Sequence, residues 1–239
     1  RLWRDAAVVY ARPRIIAMLF LGFASGMPLA LTLGTLSVWL TEVGLDLSTI
    51  GLFAAVGTPY ALKFLWSPLV DRVPLPLMTR RLGRRRGWLI MVQVILMTSI
   101  VGLGFSAPGI DPAFTALMAV IVAFWSATQD IVIDAFRVEL LDIEDQAAGA
   151  AMVVFGYRVG LLVSGAGALF LAEIMPWPHV YMVMAGTLLI GTATALLLPE
   201  PEKVEATGTM QEINSPIGAW LYRAAVMPFA EFMTRRGWL

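Results

Sequence analysis

Residues 15–41 read IIAMLFLGFASGMPLALTLGTLSVWLT, 27 residues without a charge between Arg14 and Glu42. A helix rises about 1.5 Å per residue and the hydrocarbon layer of a bilayer is about 30 Å thick, so about 20 such residues cross it. Lipid offers no partner to a backbone N–H or C=O, which leaves only helices and closed barrels as spanning structures. Barrel strands alternate polar and apolar residues over about 10 positions. This run does not alternate and is far longer. It is a membrane-spanning helix.

Working outward, residues 87–110 and 174–198 are runs of the same kind, the second interrupted only by His179. Three more runs qualify if each carries charge: 47–70 with Lys63, 112–136 with Asp130 and Asp134, and 146–172 with Arg158. The sequence therefore predicts an all-α integral membrane protein with six transmembrane helices, over residues 1–199. Composition agrees. Of 239 residues, 59% are hydrophobic and 14% charged, with mean hydropathy +0.78; soluble domains average about 45–50% and about 25%. A soluble fold, a disordered chain and a disulfide scaffold (there is no Cys) are excluded.

The net charge of zero hides an asymmetry. Arg1, Arg4, Arg12 and Arg14 precede the first span. Arg72, Arg80, Arg81 and Arg84 to Arg86 lie between the second and third, and Arg137 follows the fourth. Lys203, Arg223, Arg235 and Arg236 follow the sixth, while the loops after the first, third and fifth spans hold no Lys or Arg. The positive-inside rule puts both ends of the chain in the cytoplasm. The Arg80–Arg86 cluster suits anionic lipid headgroups better than nucleic acid. Trp39, Trp66, Trp88 and Trp177 fall near span ends and read as interface anchors. Residues 200–239 read as a polar cytoplasmic linker with an amphipathic segment, 217–233, leading towards a seventh helix. With Arg1 in place of Met at its start, the sequence reads as part of a longer protein.

No nucleophile triad, zinc spacing or phosphate loop is present, so neither an enzyme nor a metal or cofactor site is expected. His179 reads as a solvated loop residue. Gly22 and Gly26, and Gly156 and Gly160, have the GxxxG spacing that lets two helices approach closely. Pro28, inside the first span, bends it and frees a carbonyl.

The ionisable residues within spans carry the functional reading, because each is costly in lipid. Lys63 and Asp130 lie about 10 Å and about 9 Å from the same end of their spans, which permits an ion pair. That pair serves either structure or substrate and proton handling. Asp134 shares the Asp130 face at i+4, with Arg137 a turn further on; these two suit the membrane interface. Arg158 falls near the midplane, too deep to reach water along its own stem. It needs a partner or a wet cavity, where a forked guanidinium suits a carboxylate or sugar oxygen. Gln129 and Tyr157 supply hydrogen bonds nearby, either to substrate or to neighbouring helices.

Residues 15–35, 63–72 (KFLWSPLVDR), 84–89 (RRRGWL), 126–136 (SATQDIVIDAF) and 149–165 (GAAMVVFGYRVGLLVSG) together resemble the AmpG-type muropeptide permeases of the major facilitator superfamily. The resemblance implies a proton-driven importer of anhydro-muropeptides in the bacterial inner membrane, serving peptidoglycan recycling. It matches Lys63, Asp130, Asp134 and Arg158 to charged family positions. Asp71 and Arg72 with Gly83, Arg84 and Arg85 resemble the superfamily's loop motif, here with ten residues between Arg72 and Gly83. Because that superfamily has twelve helices, the resemblance also implies that this chain is the N-terminal half-bundle, with a C-terminal half as partner. Two alternatives stay open: an accessory six-helix membrane subunit, and a transporter of another bulky solute such as an acyl-CoA or a pigment.

Overall fold

The computed structural model describes residues 8–75 and 78–201, without the side chain of Arg72. The expected linker beyond Pro201, with its amphipathic segment, lies outside the described residues. Within them all regular structure is helical. Helices α1 (Pro13–Thr32) and α2 (Gly34–Glu42) form the first column. Next come short α3 (Leu47–Leu52), α4 (Thr58–Leu62), α5 (Ser67–Arg72) and α6 (Met78–Leu82). Long α7 (Arg84–Gly104) and α8 (Pro112–Leu140) follow. Helix α9 (Gln146–Leu162) continues through a wide turn into α10 (Ala168–Ala172), and α11 (Trp177–Thr187) into α12 (Leu189–Leu197).

Among the described residues, five helical columns are long and apolar enough to cross a membrane: 13–42, 84–104, 112–140, 143–172 and 177–197. The segment expected as the second span is different. Leu47–Arg72 is helical almost throughout, but tight turns at Phe53–Gly57 and Lys63–Leu65 divide it into α3, α4 and α5. Proline explains the division. Pro59 and Pro68 carry no N–H and cannot bond the carbonyls of Ala55 and Phe64 four residues back. The hydroxyl before each proline compensates. Thr58 Oγ1 donates to the Ala55 carbonyl at 2.6 Å, and Ser67 Oγ to that of Phe64 at 3.3 Å.

Pro28 in α1 poses the same problem at the Ala24 carbonyl, and the answer comes from another helix: Gln129 Nε2 of α8 donates to it at 2.9 Å. Where α1 stops at Leu33, Tyr181 of α11 donates its hydroxyl to the Leu31 carbonyl at 2.9 Å. Outside the columns, Asp46 caps α3 through Thr49 N at 3.0 Å. Hydrogen bonds from Ser48 and from Thr49 hold its carboxyl well below the usual carboxylate range.

Two glycine pairs bring α1 and α9 into backbone contact. A Cβ on Gly22 or Gly26 would overlap the carbonyls of Val153 or Tyr157; one on Gly156 or Gly160 would overlap those of Leu19 or Phe23. The two GxxxG motifs therefore pack against each other. Without a hydrophobic effect to join helices inside lipid, such close van der Waals contact is a main source of association. Two apolar clusters follow one another along α1. One gathers Leu31, Trp39, Leu96, Ile100, Leu103 and Tyr181, the other Ile15, Leu89, Val92, Val132 and Phe136.

The tryptophans pack inward rather than serving only as interface anchors. Trp39 stacks on Trp177 at 5.6 Å, and Trp177 Nε1 donates to Glu42 at 2.7 Å. Trp66 donates to Thr128 Oγ1 at 3.1 Å and Trp88 to the Val73 carbonyl at 2.7 Å. His179 is exposed, but in the first turn of α11 rather than in a loop.

Gly156→Leu should force α9 off α1 and cost at least about 2 kcal/mol, as overpacking does. Thermal unfolding in detergent checks this, with Gly186→Leu, whose Cβ position is open, as the control that leaves stability unchanged.

Candidate functional site

On α8, Ser126, Gln129 and Asp130 recur at i, i+3 and i+4 and so share one face. That face meets α1. Ser25 Oγ donates to Asp130 Oδ1 at 2.5 Å, one residue from the Gln129–Ala24 bond. The helical order of 58–72 carries Lys63 to the same level, with Nζ 3.9 Å from Asp130 Oδ2. The pair expected from matched depths thus forms, but its length exceeds a charge-assisted hydrogen bond of about 2.8 Å. Asp130 is 15% exposed and its counter-charge is distant, so burial is only partly compensated.

The remaining candidates separate. Gln129 is fully buried, and its amide serves the α1 carbonyl, which supports the helix-packing alternative. Tyr157 is half-buried and within electrostatic reach of Asp130. Asp134 is exposed and lines an open cleft of about 400 Å³ with Lys63, Asp71, Arg85 and Glu139. It makes no pair with Arg137, whose guanidinium donates to Gln146 Oε1 at 3.2 Å. Arg158 is exposed on the face of α9 opposite Gly156 and Gly160, with no ion pair or side-chain hydrogen bond among the described residues.

The loop-motif residues converge at the end of the bundle where α1 begins. Arg85, 6% exposed at its side chain, binds Asp71 at 2.7 Å and Glu139 at 2.5 Å. Arg84 donates to the Asp71 carbonyl and lies 3.2 Å from Glu139. Asp71 thus meets Arg84 and Arg85 although ten residues separate Arg72 from Gly83. Glu139 and Glu200 were not among the expected residues. Glu200 accepts from the backbone N–H of Arg85 at 2.7 Å and of Arg86 at 3.0 Å, capping α7. Arg86 answers by donating to the Ala195 and Leu196 carbonyls at the end of α12, at 3.0 and 2.6 Å. Each charge meets the favourable end of the other helix's dipole. A sequence signal existed only for Glu139, an acid two residues after Arg137; nothing local points Glu200 at Gly83.

An apolar helical bundle, glycine-packed and carrying charges within columns long enough to cross a membrane, is that of a multi-pass membrane protein. The chain belongs to the family described as acetyl-coenzyme A transporter 1, whose model matches residues 14–176. Among relatives, it is 45% identical over 233 residues to the anhydromuropeptide permease of Escherichia coli K12, covering 97% of this chain and 45% of that protein. It is 36% identical to putative transporter AmpG 4 of Rickettsia felis, over 93% of this chain and 53% of the relative. An uncharacterized protein of Haemophilus influenzae is 37% identical over 96% of this chain and 51% of its own length. The resemblance to AmpG-type permeases therefore holds, and the named relatives are transporters rather than enzymes. The chain spans about half the length of these relatives.

Gly83 has φ +91°, and a Cβ there would overlap the Glu200 carboxyl. Gly83→Ala should cost roughly 1–3 kcal/mol through strain alone and uncap α7 as well. A lower melting temperature for Gly83→Ala, partly recovered when Glu200→Ala is added, checks the assignment.

Proposed function

We propose that the protein carries anhydromuropeptides across the bacterial inner membrane by proton-driven alternating access. In this reading residues 1–199 supply the first six crossings, Leu47–Arg72 being the second, and residues 200–239 lead to a further half-bundle of a major facilitator. Both ends of the segment face the cytoplasm. The identity of 45% over 97% of the chain to an anhydromuropeptide permease carries the proposal.

The disposition of charge supports it. Of the 143–172 column few residues are buried, whereas most of 13–42 are, so one side of α9 is left uncovered. Arg158 stands on that surface. A guanidinium left facing hydrocarbon costs about 3 kcal/mol or more, so this face belongs against water or protein. A substrate cavity between two half-bundles meets that need. Arg158 then holds a carboxylate or sugar oxygen of the glycopeptide, and Tyr157 hydrogen-bonds beside it. The Lys63–Asp130 pair takes up and releases the proton, with Asp134 at the mouth of the cleft. Asp71, Arg72, Gly83, Arg84 and Arg85 form the cytoplasmic gate, whose ion pairs break and remake as the halves rock. Gln129 acts indirectly, by holding α1 to α8.

Uptake of radiolabelled anhydromuropeptide by cells lacking their own permease tests this. Arg158→Ala should lower uptake at least tenfold at unchanged membrane level. Asp130→Asn should abolish uphill accumulation while retaining exchange of substrate. Normal accumulation by both variants would sink these roles. Uptake of acetyl-coenzyme A in place of the muropeptide would favour the substrate named in the family description.

A further inference from the structure

Buried polar atoms almost always find a partner, so those that do not call for a physical reason. Tyr60 Oη, Ser126 Oγ and Gln129 Oε1 are buried and bond nothing among the described residues. All three lie where α1, α4 and α8 meet. Ser126 and Gln129 share the α8 face that meets α1, and Gln129 is fixed there by its bond to Ala24. The Tyr60 hydroxyl lies close enough to Ser126 and Thr32 to interact with both, but its geometry to each falls short of a well-formed hydrogen bond, and it is within electrostatic reach of Asp130. Thr32 spends its own proton on the Pro28 carbonyl at 3.0 Å and keeps its lone pairs free.

We propose that Tyr60, Ser126 and Gln129 line a buried water-binding site one turn from the Lys63–Asp130 pair. The donor and acceptor chemistry fits water. Gln129 Oε1 can only accept, whereas the hydroxyls of Tyr60 and Ser126 can each donate or accept. A water accepts from Tyr60, donates to Gln129, and exchanges a bond with Ser126. An anion would meet the Gln129 oxygen unfavourably. An empty apolar cavity would leave three polar groups unpaired, each of them costly. Ordered waters with about three bonds to such groups are a regular part of protein interiors. The site does not depend on what the protein transports. If Asp130 does carry a proton, the water places a hydrogen-bonding step between it and Tyr60.

The test combines a structure of the purified protein at about 2 Å resolution with two variants, Tyr60→Phe and Ser126→Ala. The expected result is a density peak within hydrogen-bond distance of Tyr60 Oη and of Ser126 or Gln129. The peak should vanish in Tyr60→Phe. Each variant should lower the melting temperature by a few degrees, and the double variant by less than their sum, because both hydroxyls share one partner. Higher melting temperatures in both single variants would show that the hydroxyls are unsatisfied and overturn the proposal. So would a Tyr60–Ser126 oxygen separation of about 2.8 Å with no peak, the mark of a direct bond. A peak present only in sodium buffer would point to a cation and overturn it as well.

Discussion

Inside a bilayer a carbonyl that loses its helical partner must find another within the protein, and this bundle is arranged around that constraint. Three prolines in its helical columns free the carbonyls of Ala24, Ala55 and Phe64. Two are recovered locally, by Thr58 and Ser67. The third is recovered across the bundle by Gln129, a bond that goes with one register of α8 on α1. Register then determines chemistry. With Gln129 on Ala24, Asp130 falls beside Ser25, and Lys63 reaches it from the proline-broken column. Bends and breaks are tolerated here because side chains answer them, and those same side chains bring polar groups into the interior.

The glycine seam works in the other direction, by emptying one face of α9. Because Gly156 and Gly160 let α9 contact α1 backbone to backbone, the closest contacts between them fall on one face of α9. The opposite stripe, with Val154, Phe155, Arg158 and Leu162, is left exposed. At the end where α1 begins, by contrast, charges meet partners. Arg85 sits between Asp71 and Glu139, Arg12 meets Asp145 at 2.6 Å, and Glu200 and Arg86 exchange caps between α7 and α12. On the proposed function, the tightly paired end is the gate and the unpaired charge of Arg158 belongs to the binding surface.

Charge-free runs made the long columns legible in the sequence, since length and lack of charge are all that crossing a bilayer demands. The matched depths of Lys63 and Asp130 were legible for the same reason, as rise per residue converts position into height. Pairing between motifs was not. GxxxG at 22–26 and at 156–160 announces close packing but does not name its partner, which only the assembled bundle selects. The breaks in 47–72 followed from Pro59 and Pro68, yet hydropathy averages over them. Glu200 looked like part of a polar linker, and only folding brings it to Gly83. Ser126 and Tyr60 resembled filler within apolar runs, because a single hydroxyl barely alters hydropathy.

On the proposed mechanism the Arg158 face of α9 lines an aqueous substrate cavity and does not face lipid. The sequence contains no cysteine, so Arg158→Cys introduces a single thiol into it. Labelling that thiol in membranes with a charged, membrane-impermeant maleimide tests this directly. Rapid labelling that anhydromuropeptide slows is the predicted result. A thiol that reacts only with a lipid-soluble reagent, at a rate the muropeptide leaves unchanged, would contradict it.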